Sequence, residues 1–153
     1  MVLTIDEVND ILDEVYNEFP EPLFEGLNGG VLLLEEEKPG YLAVAFDLKA
    51  PTFRHTMYDA YKGTRKPMPE ELHEQVPLMK EVLTAMGIPI FTREGYEADD
   101  ILGTVAKKAQ AAGMEVTVVS GDRDLLQLSD VHIKISIPKT SRGTTEVHTY
   151  YPE

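Results

Sequence analysis

Gly95-Tyr-Glu-Ala-Asp-Asp100, read together with Gly121-Asp-Arg-Asp124, decides the fold. Glu97, Asp99 and Asp100 open a run in which Ile101, Leu102, Val105 and Ala109 recur at helical spacing, whereas Asp122 and Asp124 directly follow the β-branched stretch Val116-Thr-Val-Val-Ser120. One helix start and one strand end thus carry five carboxylates between them. In an open parallel α/β sheet both kinds of end lie on the same edge, where ligands bind. Side by side these carboxylates repel one another, and a hard cation such as Mg²⁺ or Mn²⁺, which takes oxygen ligands, neutralises them. The competing reading is that acidic residues simply favour the first turn of a helix.

Working outward, Tyr41-Leu-Ala-Val-Ala-Phe46 is a continuous apolar run of strand length, the pattern of a strand buried on both faces, with Asp47 at its carboxyl end as a sixth candidate ligand. Residues 48 to 66 are the basic part of the chain. Lys49, Arg54, Lys62, Arg65 and Lys66 alternate there with His55, Phe53, Tyr58 and Tyr61, a mixture suited to phosphate contact and base stacking, although a solvated helix face has the same look. Lys62 and Arg65 are candidates for charge stabilisation at a scissile phosphate. A helix is expected from Met68-Pro69 to Met86, with Pro77 implying a kink or restart and Gly87 as its C-terminal stop. Ile88 to Phe91 reads as a short strand, Asp124 to Leu128 as a helical turn, and Val131 to Ile137 alternates as a strand with one wet face. Thr140 to Thr145 reads as a loop or hairpin turn. The order of elements gives a mostly parallel α/β sheet flanked by helices, with Asp47, the acidic helix start and the Asp122/Asp124 loop on one edge.

At 153 residues the chain suffices for one domain with its own core. It has no cysteine, so disulfides and thiolate metal ligation are excluded and an intracellular setting is expected. No apolar run approaches membrane-spanning length and no basic signal-peptide flank is present, so the expectation is a cytoplasmic protein without a membrane partner. The net charge of −13 counts at first sight against nucleic acid. Residues 1–38 alone hold −10 of it, and the remainder holds −3, which becomes +3 once the six candidate ligands are set aside. The acidic N-terminal part is a separate matter: Thr4-Ile-Asp-Glu7 is a capping box followed by apolar positions at helical steps up to Phe19. His55, His73, His132 and His148 are scattered without zinc spacing, and neither a Gly-x-x-x-x-Gly-Lys-Ser/Thr nor a Gly-x-Ser-x-Gly motif occurs. Metal chemistry on carboxylates is what remains.

These segments together resemble a known family. Tyr41-Leu-Ala-Val-Ala-Phe-Asp47, Lys49-Ala-Pro-Thr-Phe-Arg-His55, Tyr61-Lys-Gly-Thr-Arg-Lys66, Gly95 to Asp100 and Gly121 to Asp124 look like the 5′→3′ exonuclease (flap endonuclease-like) domain at the N-terminus of bacterial DNA polymerase I. The resemblance runs from about Leu32 to the chain end. It implies a PIN-like α/β fold and a hydrolase of DNA replication and repair, acting on DNA with 5′ ends or flaps. It further implies that Asp47, Glu97, Asp99, Asp100, Asp122 and Asp124 surround two divalent ions, Mg²⁺ or Mn²⁺. Lys62 and Arg65 then contact the scissile phosphate, and Lys49, Arg54, Tyr61 and Lys66 contact DNA. A monomer is expected.

Two departures qualify the resemblance. The family usually begins with a strand ending in Ile-Asp-Gly, but here Leu3-Thr-Ile-Asp6 is followed by Glu7 and an acidic helix, so residues 1–34 are expected to form an atypical acidic helical segment and 35–153 a partial nuclease domain. Residues 1–34 also look faintly like the start of a small zincin-like metallopeptidase family, without its His-Glu-x-x-His. At the other end the family continues into further metal ligands and a helix-hairpin module, so the fold is expected to be incomplete and the domain truncated and weakly active or inactive. The alternative is a non-catalytic nucleic-acid or protein-binding remnant. A Mg²⁺-dependent phosphatase also fits the carboxylates, but leaves the basic aromatic segment unexplained.

Overall fold

The computed structural model of the chain describes residues 37–64, 70–141 and 144–152. The N-terminal helix expected from Thr4 to Phe19, the question of Asp6, and the candidate residues Arg65 and Lys66 lie outside the described residues. The chain divides into two compact units, one of residues 1–44 and 53–91, the other of 45–52 and 92–153.

In the first unit, α1 (Phe53–Met57) and α2 (Glu70–Ala85) precede the two-residue strand β2 (Ile90–Phe91). The helix α2 runs through Pro77 without interruption. Pro77 is exposed there, and its missing N–H removes one hydrogen bond from the helix, which does not restart after it. Val82 and Leu83 near its end are buried, as is Met86 just beyond it. The helix stops as expected at Gly87, whose φ of 70° is left-handed: the Gly87 N–H donates to Thr84 O at 3.0 Å and the Ile88 N–H to Leu83 O at 2.9 Å, the paired bonds of a Schellman turn. The strand expected over Tyr41 to Phe46 is paired only as β1 (Val44–Ala45), half-buried, with Val44 N–H on Pro89 O at 3.0 Å and Tyr41 84% exposed. Its partner β2 offers only two residues, which limits the ladder.

The second unit contains α3 (Ala98–Ala111), β3 (Val116–Val119), a 3₁₀ helix (Arg123–Leu128), β4 (Ile133–Ser141) and β5 (Thr144–Tyr150). Its sheet has the order β3-β4-β5. β3 pairs with β4 in parallel, Val116 opposite Ile133 and Val118 opposite Ile135, and β4 pairs with β5 antiparallel, Ile135 opposite Tyr150 and Ser141 opposite Thr144. The α/β class expected from sequence is the one observed, but the described pairings of this sheet are one parallel and one antiparallel. Of the two expectations for Thr140 to Thr145, loop or hairpin turn, the antiparallel pairing of β4 with β5 agrees with the second, although the sequence pattern does not mark the strand β5 itself.

Ile133, Ile135 and Ile137 alternate onto one face of β4 and form the core with Ala106, Val118 and Leu125, while Leu102, Val116, Leu126 and Leu128 pack around it. On α3 the buried stripe is therefore Leu102 and Ala106, and Val105 stays 39% exposed. The opposite face of β4 is not simply wet: Ser136 is fully buried, and its hydroxyl lies 3.1 Å from Thr149 Oγ1, the residue facing it across the ladder. A buried hydroxyl needs such a partner, because left unpaired it costs about 1–3 kcal/mol. The end of α3 repeats the Schellman turn: Gly113 has φ 81°, its N–H donates to Gln110 O at 2.9 Å and the Met114 N–H to Ala109 O at 3.0 Å. No helix among the described residues is long and apolar enough to cross a membrane.

Candidate functional site

The N-terminus of α3 collects carboxylates for a local electrostatic reason. The first amides of a helix have no partner within it and carry the positive end of its dipole, so acidic groups are stabilised there. Glu97 is the N-cap, extended at φ −92° and ψ 160°, and it exchanges a capping box with Asp100: the Glu97 carboxylate accepts from the Asp100 N–H, and Asp100 Oδ2 accepts from the Glu97 N–H at 2.9 Å. Glu97 is only 8% exposed, a burial that a carboxylate tolerates because the amides hold it. A third carboxylate arrives from far along the chain. Asp47 Oδ1 accepts from the Ala98 N–H at 2.6 Å, across 51 positions. Asp99, second residue of the helix, is half-buried beside them.

The other pair is set by the loop after β3. Ser120 Oγ accepts from the Asp122 N–H at 3.1 Å, and Asp122, the N-cap of the 3₁₀ helix, accepts on Oδ1 from the Asp124 N–H at 2.9 Å. Ser120 is a site residue that the sequence reading passed over as the last position of a strand. A serine two residues before an N-capping Asp is the signal that could have found it. All six expected ligands thus fall in one unit, and Asp47, Glu97, Asp99 and Asp100 are brought together at one helix turn.

Their chemistry and their placement bear differently on a metal. An all-carboxylate donor set is what Mg²⁺ and Mn²⁺ take. Among the described residues, no three Asp, Glu or His are placed to hold one ion. Zinc requires a closed set of that kind, whereas Mg²⁺ keeps several waters and binds through one or two carboxylates with substrate oxygens completing its shell. The chemistry of the donor set, all carboxylate, is that of a hard and partly hydrated divalent ion, while no three of these groups converge on one point among the described residues.

The basic candidates divide. Lys49 is exposed on the segment after Asp47, within the second unit. Arg54, Tyr61 and Lys62 belong to the first, where the Arg54 guanidinium sits 4.5 Å from the Phe53 ring, the His55 and Tyr61 rings meet edge to face at 5.2 Å, and Lys62 Nζ lies 5.4 Å from the Tyr61 ring centre. Lys62 is half-buried and adopts a left-handed backbone, φ 56°, uncommon for a residue with a Cβ. The chain forms tight turns here, Tyr61 N–H on Tyr58 O and Gly63 N–H on Ala60 O, both 3.0 Å.

Comparison with known proteins completes the description. A family model described as 5′-3′ exonuclease, N-terminal resolvase-like domain matches residues 23–151, a match that begins inside the segment read as atypical. The chain is 49% identical over 121 residues to DNA polymerase I of Bacillus caldotenax, covering 79% of this chain and 14% of that protein. It is 37% identical over 163 aligned positions to DNA polymerase I of Caldicellulosiruptor bescii, covering all of this chain and 19% of that one. The chain therefore spans less than a fifth of the length of these relatives. Among solved structures it is similar to the T5 5′-exonuclease with bound zinc (TM-score 0.56, 21% identity, 81% of this chain and 50% of that one). A T5 flap endonuclease in a pseudo-enzyme–product complex with DNA and metal ions gives a TM-score of 0.54 at 21% identity, over 73% of this chain and 46% of that one. At such identities the likeness establishes the fold, which is the PIN-like α/β class expected from sequence.

Proposed function

The chain belongs to the 5′-3′ exonuclease, N-terminal resolvase-like domain family, and on that premise we propose that it hydrolyses DNA phosphodiesters at 5′ ends or flaps with the help of divalent metal. The observation that carries the reading is the meeting of Asp47, from the end of β1, with the Glu97–Asp100 turn of α3. The capping box pairs the Glu97 and Asp100 amides, and Asp47, recruited across 51 positions, pairs the Ala98 amide between them, so carboxylates from two distant segments gather at one helix turn.

Asp47, Glu97, Asp99, Asp100, Asp122 and Asp124 would hold Mg²⁺ or Mn²⁺, two ions in the complete family site. When bound, metal supplies water activation and screening of the phosphate charge. The chain's own residues do the rest. Lys62 and Arg65 neutralise oxygens of the scissile phosphate, and Lys49, Arg54 and Lys66 bind neighbouring phosphates. Tyr61 offers its ring to an unpaired base. The protein acts as a monomer in the cytoplasm in this reading.

A second reading, a DNA-binding domain without turnover, is favoured by one observation: Asp47, Glu97 and Asp100 already spend carboxylate oxygens on the α3 amides. Incubation of the purified chain with a labelled 5′-flap DNA and Mn²⁺, against an EDTA control, separates the two. Metal-dependent release of the flap supports hydrolysis, and tight binding with no product supports the second reading.

A further inference from the structure

Ala98 has no side-chain chemistry, yet its main-chain N–H holds Asp47 Oδ1 at 2.6 Å. Asp47 lies two residues past a two-residue strand, is itself exposed, and belongs to a stretch, residues 46–52, with no regular secondary structure to fix its side chain. A carboxylate on such a segment rotates freely unless something holds it, and the Ala98 amide is a donor that the helix itself leaves unused. The bond ties the Asp47 carboxylate to the helix turn that carries Asp99 and Asp100, the next two residues after Ala98.

We propose that the Ala98 amide is the positioning group for Asp47, so that divalent-metal affinity depends on a main-chain N–H that no side chain of the acidic cluster supplies. The inference rests on the metal-dependent reading above and goes beyond it. Hydrogen-bond partners of metal-binding carboxylates typically govern affinity by roughly 10- to 100-fold.

The local backbone permits a substitution that isolates this one donor. Ala98 is the first residue of α3, the helical position that accepts proline best. Glu97 before it is already extended, at φ −92° and ψ 160°, as a residue preceding proline must be. Ala98→Pro therefore removes the N–H and sets a ring carbon against Asp47 while α3 keeps its course. Two further variants divide the contact from the charge: Asp47→Asn keeps an acceptor oxygen and loses the charge, and Asp47→Ala loses both.

The probe is Mn²⁺ alone, titrated calorimetrically into the chain, with helix content followed by circular dichroism and the Ala98 amide by hydrogen exchange. Ala98→Pro is expected to retain helix content and bind Mn²⁺ roughly 10- to 100-fold more weakly. Asp47→Ala is expected to speed exchange of the Ala98 amide, and Asp47→Asn to weaken Mn²⁺ while leaving that amide protected. In the Asp47→Ala background, Ala98→Pro should weaken Mn²⁺ no further, because the contact is already gone. Wild-type Mn²⁺ affinity in Ala98→Pro, or additive losses in the double variant, overturns the proposal. So does unchanged exchange at Ala98 in Asp47→Ala, a measurement that decides the matter even if the proline variant unfolds. A wild-type chain that binds no Mn²⁺ overturns the metal reading itself, an outcome distinct from binding that ignores Ala98.

Discussion

Gly113→Ala tests whether the turn from α3 into β3 is held by backbone conformation alone. Gly113 has φ 81°, and a Cβ built there meets nothing within 4 Å, so sterics with the rest of the protein contribute nothing. What remains is the left-handed penalty for an L-residue, about 1–2 kcal/mol, offset by the roughly 0.4–1 kcal/mol by which alanine reduces the entropy of the unfolded chain. The net loss is about 1 kcal/mol, or a fall in Tm of about 2–4 °C for a chain of this size. Gly121→Ala is the internal control. A Cβ there is equally unobstructed and the backbone is not left-handed, so only the unfolded-state term applies and stability should hold or rise slightly. Urea denaturation of both variants, with the slope m compared to exclude changes in the unfolded state, measures the difference. Equal midpoints for the two would refute the assignment of a left-handed Schellman residue to Gly113.

Other consequences follow from the core, the acid titration and the basic segment. Ile135→Ala removes a fully buried side chain from the centre of the β4 face and should cost about 2–5 kcal/mol in the same denaturation assay; a loss under 1 kcal/mol would mean that the site collapses freely or is not core. Asp130 is held well below the ordinary carboxylate range, at about 2, chiefly by its hydrogen bond with Gln110 and then by Lys107, whose Nζ is 3.1 Å away. A depressed native pKa means that its contribution is fully present above the unfolded value of 3.8 and is lost as pH falls towards 2, so wild type and Asp130→Asn should converge in stability over that window. A difference between them that stays constant from pH 5 to pH 2 would speak against it. Lys62→Ala should lower the affinity for 5′-flap DNA and reduce the slope of log affinity against log salt by about one, read by fluorescence anisotropy; an unchanged slope makes Lys62 a structural residue of its turn.

What the sequence by itself determined is what neighbours within a few positions decide. The helix stop at Gly87, the helical turn after Asp122 and the alternation of Ile133, Ile135 and Ile137 all depend on local backbone preference or on the period of the element, and each is where the pattern placed it. The acidic residues were legible as a set for the same reason, since a helix start and a strand end announce themselves locally. What only tertiary structure decided is who pairs with whom across the chain. The apolar run at Tyr41 pairs over just two residues because its partner is that short, and Ser136 is buried because Thr149 faces it from β5, a strand that the sequence pattern does not mark. Sequence spacing likewise could rank Asp47 as a ligand, but not reveal that it caps α3 through Ala98. A main-chain N–H carries no residue identity, so the partner of Asp47 becomes visible only when folding brings position 47 to a helix end whose first amides have no partner within the helix.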